Sequence, residues 1–144
     1  MSSLKIPRLK LMGRIAGLRV YLVSGQYIRD HVELEFTCGG NFGAYPKFVP
    51  LHEVWIDDAL FGMDRTATTL HEMVERDLML RYGWSYDRAH EGANARERVL
   101  RRLLNARKRN LKAFSAKTVD FAYQVYLAEK SIPKYTSILE EALS

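Results

Sequence analysis

Covalent staples and membrane spans are both out of reach for this sequence. Of its 144 residues one is cysteine, Cys38. A single thiol forms no internal disulfide and has no cysteine partner for a zinc knuckle, so a metal would have to be held by histidine and carboxylate side chains. Long apolar runs are missing as well. Stretches without charge, such as Gly39 to Pro46, are short and polar or aromatic, well below the ~20 residues of a membrane-spanning helix. The opening MSSLKIPRLKLMGRIAGLRV scatters its charges and lacks a continuous apolar segment, so it does not read as a secretory leader. The expectation is a protein of a reducing compartment, cytoplasmic, with no membrane partner.

Acids are scarce in one place. Between residues 96 and 112, Glu97 is the only acid beside Arg96, Arg98, Arg101, Arg102, Arg107, Lys108, Arg109 and Lys112. Within this run Arg98, Arg101, Arg102, Arg107, Lys108 and Arg109 are candidates to track nucleic-acid phosphates. No aromatic residue lies between Arg96 and Arg109, so a base-stacking pattern is absent, and a solvated helix face is the competing reading. The net charge of +5 permits an anionic partner without requiring one. A composition of 47% hydrophobic and 27% charged residues is that of a globular domain with its own core.

The hydrophobic pattern predicts strands first and helices afterwards. Residues 1–13 are basic and irregular, with an early Pro7, and read as a flexible arm. Leu18, Val20 and Leu22 alternate with Arg19 and Tyr21 as a strand; Ser24-Gly25 offers a turn and Gln26 to Arg29 a returning strand. Val32, Leu34 and Phe36 alternate with Glu33 and Glu35, as in a half-buried strand. Cys38 to Gly43 is a glycine-rich loop without the Lys-Ser/Thr ending that cradles phosphate. Glu53 to Asp57 reads as a short strand. A helix is predicted from an Asp64 N-cap to about Tyr82, stopped by Gly83, and a second from Ser85 or Tyr86 to about Asn110. A third covers Ser115 to Lys130, and a short terminal one Tyr135 to Leu143. This order predicts a single α+β domain over residues 1–144: a small antiparallel sheet in the N-terminal half, then three to four packed helices. Residues 98–144 would be a basic and aromatic helical extension.

Chemistry concentrates on the first two long helices. In Leu70-His71-Glu72-Met73-Val74-Glu75, residues four apart lie one above the other, so His71 and Glu75 point the same way. Glu72 lies about 100° round the helix. This is the layout of the HExxH zinc motif, in which two ligands hold the metal and the intervening glutamate activates water, with Glu75 in place of the second histidine. On the next helix Tyr86, Ala89, His90, Ala93, Glu97, Leu100 and Leu104 trace one inward stripe. Two helices joined by a short turn pack antiparallel, which would bring His71, Glu75, His90 and Glu97 towards one locus. Imidazole and carboxylate donors suit zinc, or iron and manganese if more oxygen joins. The bland alternative is a buried His/Glu hydrogen-bond network without metal. His52-Glu53 reads as a surface pair at a strand end, His31 as a turn residue, and Trp55 and Trp84 as packing near the site. The Phe114, Phe121, Tyr123 and Tyr126 cluster reads as core or an oligomer contact.

The segments Tyr27 to His31, Glu53 to Asp57, His71 to Glu75 and Tyr86 to His90, followed by Ala93 and Glu97, resemble a set found in small phage and bacterial proteins similar to minimal zincin-like metallopeptidases. The resemblance spans roughly Leu18 to Glu97. It implies that His71 is a ligand, Glu72 the general base, Glu75 the stand-in for the second histidine and His90 the third ligand. Glu97 would be either a fourth ligand or the acceptor that orients His90. It also implies a substrate-binding strand before the motif helix, for which Glu53 to Asp57 is the candidate.

Two functional readings follow. The first is a metal-dependent hydrolase of zincin type holding one divalent transition metal, zinc above others, and cleaving polypeptide; Tyr82, Tyr86 or Tyr27 would stabilise the oxyanion. The second is a non-catalytic binding module for nucleic acid or protein, with a structural His/Glu cluster and a basic helix.

Overall fold

The computed structural model of the chain describes residues 8–106 and 113–143. Arg107, Lys108 and Arg109 of the basic run lie outside the described residues. The class is α+β, as the element order predicted.

Strands β1 (Arg8–Ile15) and β2 (Leu18–Val23) form an antiparallel hairpin closed by Ala16 and Gly17. Both turn residues have positive φ, 50° and 80°, which matches the twist of the flanking strands. Residues 8–13, expected to be a flexible arm, are therefore the outer strand. The expected return strand over Gln26 to Arg29 is instead helix α1 (Gly25–His31). Ser24 Oγ accepts from the Tyr27 N–H at 3.1 Å, so the serine read as a turn is an N-cap. A Cβ on Gly25 would collide with the Asp57 carboxylate at 2.1 Å, and only glycine lets α1 dock there.

Residues 32–36 alternate like a strand but have no partner strand among the described residues. Local bonds take their backbone groups: Glu33 N–H to Ile28 O at 2.8 Å, Phe36 N–H to Glu33 O at 3.2 Å. Phe36 O accepts from Arg29 at 3.2 Å. Part of the glycine-rich loop is strand β3 (Gly39–Asn41), and the expected strand over 53–57 is β4 (Glu53–Asp57).

The strands lie in the order β1-β2-β4-β3. The sheet is mixed rather than wholly antiparallel, because β4 runs parallel to β2 and antiparallel to β3. Leu18, Val20, Leu22, Val54 and Ile56 face the helices in the main core. Val23, Trp55, Ile28, Phe36 and Val49 close a smaller core on the other face, beside α1, so Trp55 is packing, but away from the main core.

Helix α2 (Met63–Tyr82) is capped by Gly62 and not by Asp64, whose carboxylate is used elsewhere. It ends where expected, at Gly83 in the left-handed region with φ 67°. Helix α3 (Tyr86–Ala106) returns against it. Small residues set the approach: Ala89 and Ala93 are fully buried, and a Cβ on Gly92 would meet Leu78 Cδ1 at 2.8 Å. Helices α4 (Ala116–Ala128) and α5 (Ile132–Leu143) add Val119, Ala122, Tyr126, Tyr135 and Leu139 to the same core. The C-terminal third is thus part of the main core and not an appendage to it. Phe121 alone of the expected aromatic cluster is largely exposed. No helix among the described residues is long and apolar enough to cross a membrane.

Candidate metal centre

The seam between α2 and α3 is held by pairs that run in opposite directions along the two helices: Glu75 with His90, His71 with Glu97, and Asp64 with Arg101. An antiparallel helical hairpin therefore gathers the residues. His71, Glu72 and Glu75 are 5%, 6% and 2% exposed. Burial of that much charge is tolerable only with partners.

At the centre is one oxygen, Glu75 Oε2. His71 Nε2 lies 3.1 Å from it and His90 Nδ1 lies 2.8 Å from it. The two imidazole rings meet edge to face at 4.8 Å between centroids. Tyr86 stacks on His90 at 5.3 Å, with its hydroxyl 3.4 Å from Nδ1. On the other side of the His71 ring, Glu97 Oε1 is 2.9 Å from Nδ1. That is a close charge contact whose angle is too poor for a directed hydrogen bond. Glu97 thus meets His71 and not His90, and it stands outside the three residues around Glu75 Oε2. Its second oxygen accepts from Arg101 Nε at 2.7 Å, and Arg101 Nη1 reaches Asp64 at 2.5 Å.

The sheet contributes a residue that the sequence did not suggest. Asn41 on β3 donates from one amide nitrogen to Glu72 Oε1 at 2.8 Å and to Glu75 Oε1 at 3.1 Å. Its own oxygen accepts from the Ala44 N–H at 3.1 Å. The glycines before it are the available signal. A Cβ on Gly39 would sit 2.7 Å from Trp55 O and 3.2 Å from Glu72 Cγ, a close approach of the kind that strand glycines mark. His71, Glu72, Glu75, His90 and Glu97 line a cleft of about 620 Å³, together with Gly39, Cys38, Tyr45 and Tyr86, while Asn41 holds the two glutamates from behind it. Tyr27 and Tyr82 do not line it, so Tyr86 is the one of the three expected tyrosines that does. His31 closes α1 with Nδ1 3.0 Å from Tyr27 O. His52 is exposed, while Glu53 is buried against Arg8 and Trp55 and is not a surface residue.

Electrostatics at the seam are dominated by shared protons. Burial works against a charged His71, but its contacts with Glu75 and Glu97 and the charge of Glu72 outweigh it, holding the imidazolium up to about 10. Burial, then the charge of Glu75, pushes the Glu72 carboxyl up to about 8, against the pull of His71 and Asn41. For Glu75, burial is outweighed by hydrogen bonds from His71 and His90, and its carboxyl lies below the usual range. Glu97 is likewise lowered, by His71 and Arg101 against burial.

His71, Glu75 and His90 could hold a metal ion, since one donor atom from each lies within 4.8 Å of the others. Two imidazoles and a carboxylate are a donor set for a first-row transition metal. The 3.1 and 2.8 Å separations are near the ~3.3 Å edge of a tetrahedron with metal bonds of about 2.0–2.1 Å. A metal would displace the His71 proton, so its binding would be pH-dependent. Of the basic run, Arg101 is committed to this seam and Arg102 lies 3.4 Å from Glu140, while Arg98 is exposed. No family profile, curated protein or solved structure matches the chain.

Proposed function

We propose that the chain is a zinc-dependent hydrolase of zincin type that cleaves polypeptide. The observation that carries this reading is the convergence of His71, Glu75 and His90 within 4.8 Å, beside a buried, unpaired-by-arginine Glu72 in the same cleft. Zinc bound there would polarise a carbonyl and bring the pKa of a water close to 7. Glu72 accepts the proton of the attacking water and returns it to the departing amine. Burial and the charge of Glu75 raise the proton affinity of Glu72 in the metal-free chain; a cation held by Glu75 would offset that charge and favour the ionised carboxylate that a base must be. Asn41 fixes one Glu72 oxygen in place at 2.8 Å. Tyr86, stacked on His90 at the cleft wall, supplies a hydroxyl for the developing oxyanion.

The strand that the resemblance assigned to substrate needs correcting. Strand β4 is hydrogen-bonded on both sides, to β2 and β3, and has no free edge. Strand β3 is the sheet's edge, and its Gly39 lines the cleft. In this reading an extended substrate lies along β3.

Elemental analysis of untagged protein, followed by calorimetric titration with zinc, tests the centre. About one zinc per chain is expected, with hydrolysis of an unfolded polypeptide in the loaded protein. A chain that takes up no transition metal leaves the seam as a hydrogen-bond network and ends the hydrolase reading.

A further inference from the structure

The basic run was the sequence's one pointer to nucleic acid, and its most central member faces inward. Arg101 sits one turn beyond Glu97 on α3 and has side-chain exposure of 28%. Its guanidinium joins two carboxylates from different helices. Nε donates to Glu97 Oε2 at 2.7 Å and Nη1 to Asp64 Oδ1 at 2.5 Å. A planar fork serves both in fixed directions, whereas an ammonium's donors carry no such fixed plane. Asp64 is free for this because Gly62, not Asp64, caps α2.

The other Glu97 oxygen stands 2.9 Å from His71 Nδ1. His71 thus lies between two carboxylates, with Glu97 at Nδ1 and Glu75 at Nε2. Only one arrangement serves a metal at the Glu75 side. Nδ1 must carry the proton towards Glu97, leaving the Nε2 lone pair for the metal. Left to itself, Glu97 on a helix surface could swing away. Its anchoring by Arg101, and Arg101's by Asp64, removes that freedom.

We propose that Arg101, braced by Asp64, is a positioning residue for the metal centre. It acts through Glu97, whose carboxylate it holds with one oxygen 2.9 Å from His71 Nδ1, so that the negative charge there favours the Nδ1–H tautomer. The inference rests on the metal-centre reading above and goes beyond it by giving the basic helix a role in that centre. Arg101 borders the cleft but is not among the groups that would hold the metal.

The test compares wild type, Arg101→Gln, Arg101→Lys, Asp64→Asn and Arg102→Gln. Zinc affinity is measured by competition with a chelator, and the His71 ring by nitrogen-15 NMR of the zinc-loaded chain. Loss of outer partners of a ligating histidine weakens metal binding by about 10- to 100-fold, and that range is expected for Arg101→Gln. Asp64→Asn should lose less, because Arg101 still holds Glu97. Arg101→Lys should recover part of the loss, since charge returns without the fork. Arg102→Gln, whose contact with Glu140 is exposed, should match wild type. The Nδ1 proton signal should be present in wild type and exchange-broadened or lost in Arg101→Gln.

Circular dichroism separates a folding failure from a positioning effect, and Asp64→Asn and Arg101→Lys carry the test if Arg101→Gln does not fold. Wild-type zinc affinity in every folded variant overturns the proposal while leaving the metal centre intact. A zinc-loaded wild type with its ring proton on Nε2 does the same. Absence of zinc binding in wild type removes the centre and this inference together, and is distinguished by the wild-type titration alone.

Discussion

Two sets of buried carboxylates lie on opposite sides of this molecule, and they are neutralised differently. On the far face of the sheet, Glu53 receives Arg8 at 2.8 Å and Trp55 at 2.9 Å, and Asp57 receives Arg29 at 3.0 Å. Each partner is a permanent cation or a fixed donor. On α2, Glu72 and Glu75 receive no arginine among the described residues; they share Asn41 and lean on two imidazoles. An imidazole can exchange its proton for a metal ion, whereas a guanidinium does not. The first set is closed and structural. The second can exchange its positive charge for another, which is what a metal centre requires.

The sharpest way to break this contrast is to remove an imidazole. His71→Ala and His90→Ala should each abolish zinc uptake in a calorimetric titration. Full retention in both would make the α2 set as closed as the β4 set. Next in size is Glu72→Gln, which keeps shape but removes basicity. Hydrolysis of unfolded polypeptide should fall by a factor of about 10² to 10⁴ with metal content unchanged, and equal loss of metal would make Glu72 a ligand instead.

The opposite face supplies the third comparison. Arg8→Ala leaves Glu53 with Trp55 and the more distant Arg19, at 3.6 Å. Because Arg8 is 39% exposed, water already screens part of this pair. A loss of about 1–2 kcal/mol in denaturant unfolding is expected, with zinc affinity untouched. The smallest effect is on pH dependence in the metal-free chain. Glu53 is lowered, by Arg8 and Trp55 against burial, so its contribution is present above its ordinary value of 4.5 and fades as acid is added. Glu72 is raised, so its contribution is full below 4.5 and is lost as pH climbs towards about 8. Glu72→Gln should therefore be relatively more stable than the parent at pH 8 to 9 than at pH 5, read from denaturation midpoints. No change in that difference would mean that Glu72 titrates as in water.

The helices were legible in the sequence because their signals are local. Gly83 ends α2, and the spacing of His71, Glu75, His90 and Glu97 already put four polar groups on facing stripes. The sheet was less legible. Residues 8–13 looked like an arm because Arg8, Lys10 and the early Pro7 masked the alternation of Leu9 and Leu11, which do remain 53% and 37% exposed on an edge strand. Ser24 looked like a turn because a cap and a turn use the same residue types. Asn41 escaped notice for a different reason. Its link to Glu72 and Glu75 spans 31 and 34 residues, and nothing in a one-dimensional pattern reports a tertiary hydrogen bond. Arg101 was placed in the right helix, but its pairing with Glu97 and Asp64 was not foreseen, since charge runs do not say which member turns inward.

The helical hairpin has one more consequence, for the order of assembly. His71, Glu75, His90 and Glu97 all belong to α2 and α3, which are joined by a short connection around Gly83. Closing so small a loop takes little chain entropy, and contacts between neighbouring helices form sooner than pairings between distant strands. The parallel pairing of β2 with β4 must wait for α1, β3 and the loop between them to fall into place. The donors therefore converge on the fast side of folding, and Asn41 arrives on the slow side. A metal ion captured by the hairpin would be held first by a half-built pocket, and the sheet would then close over it.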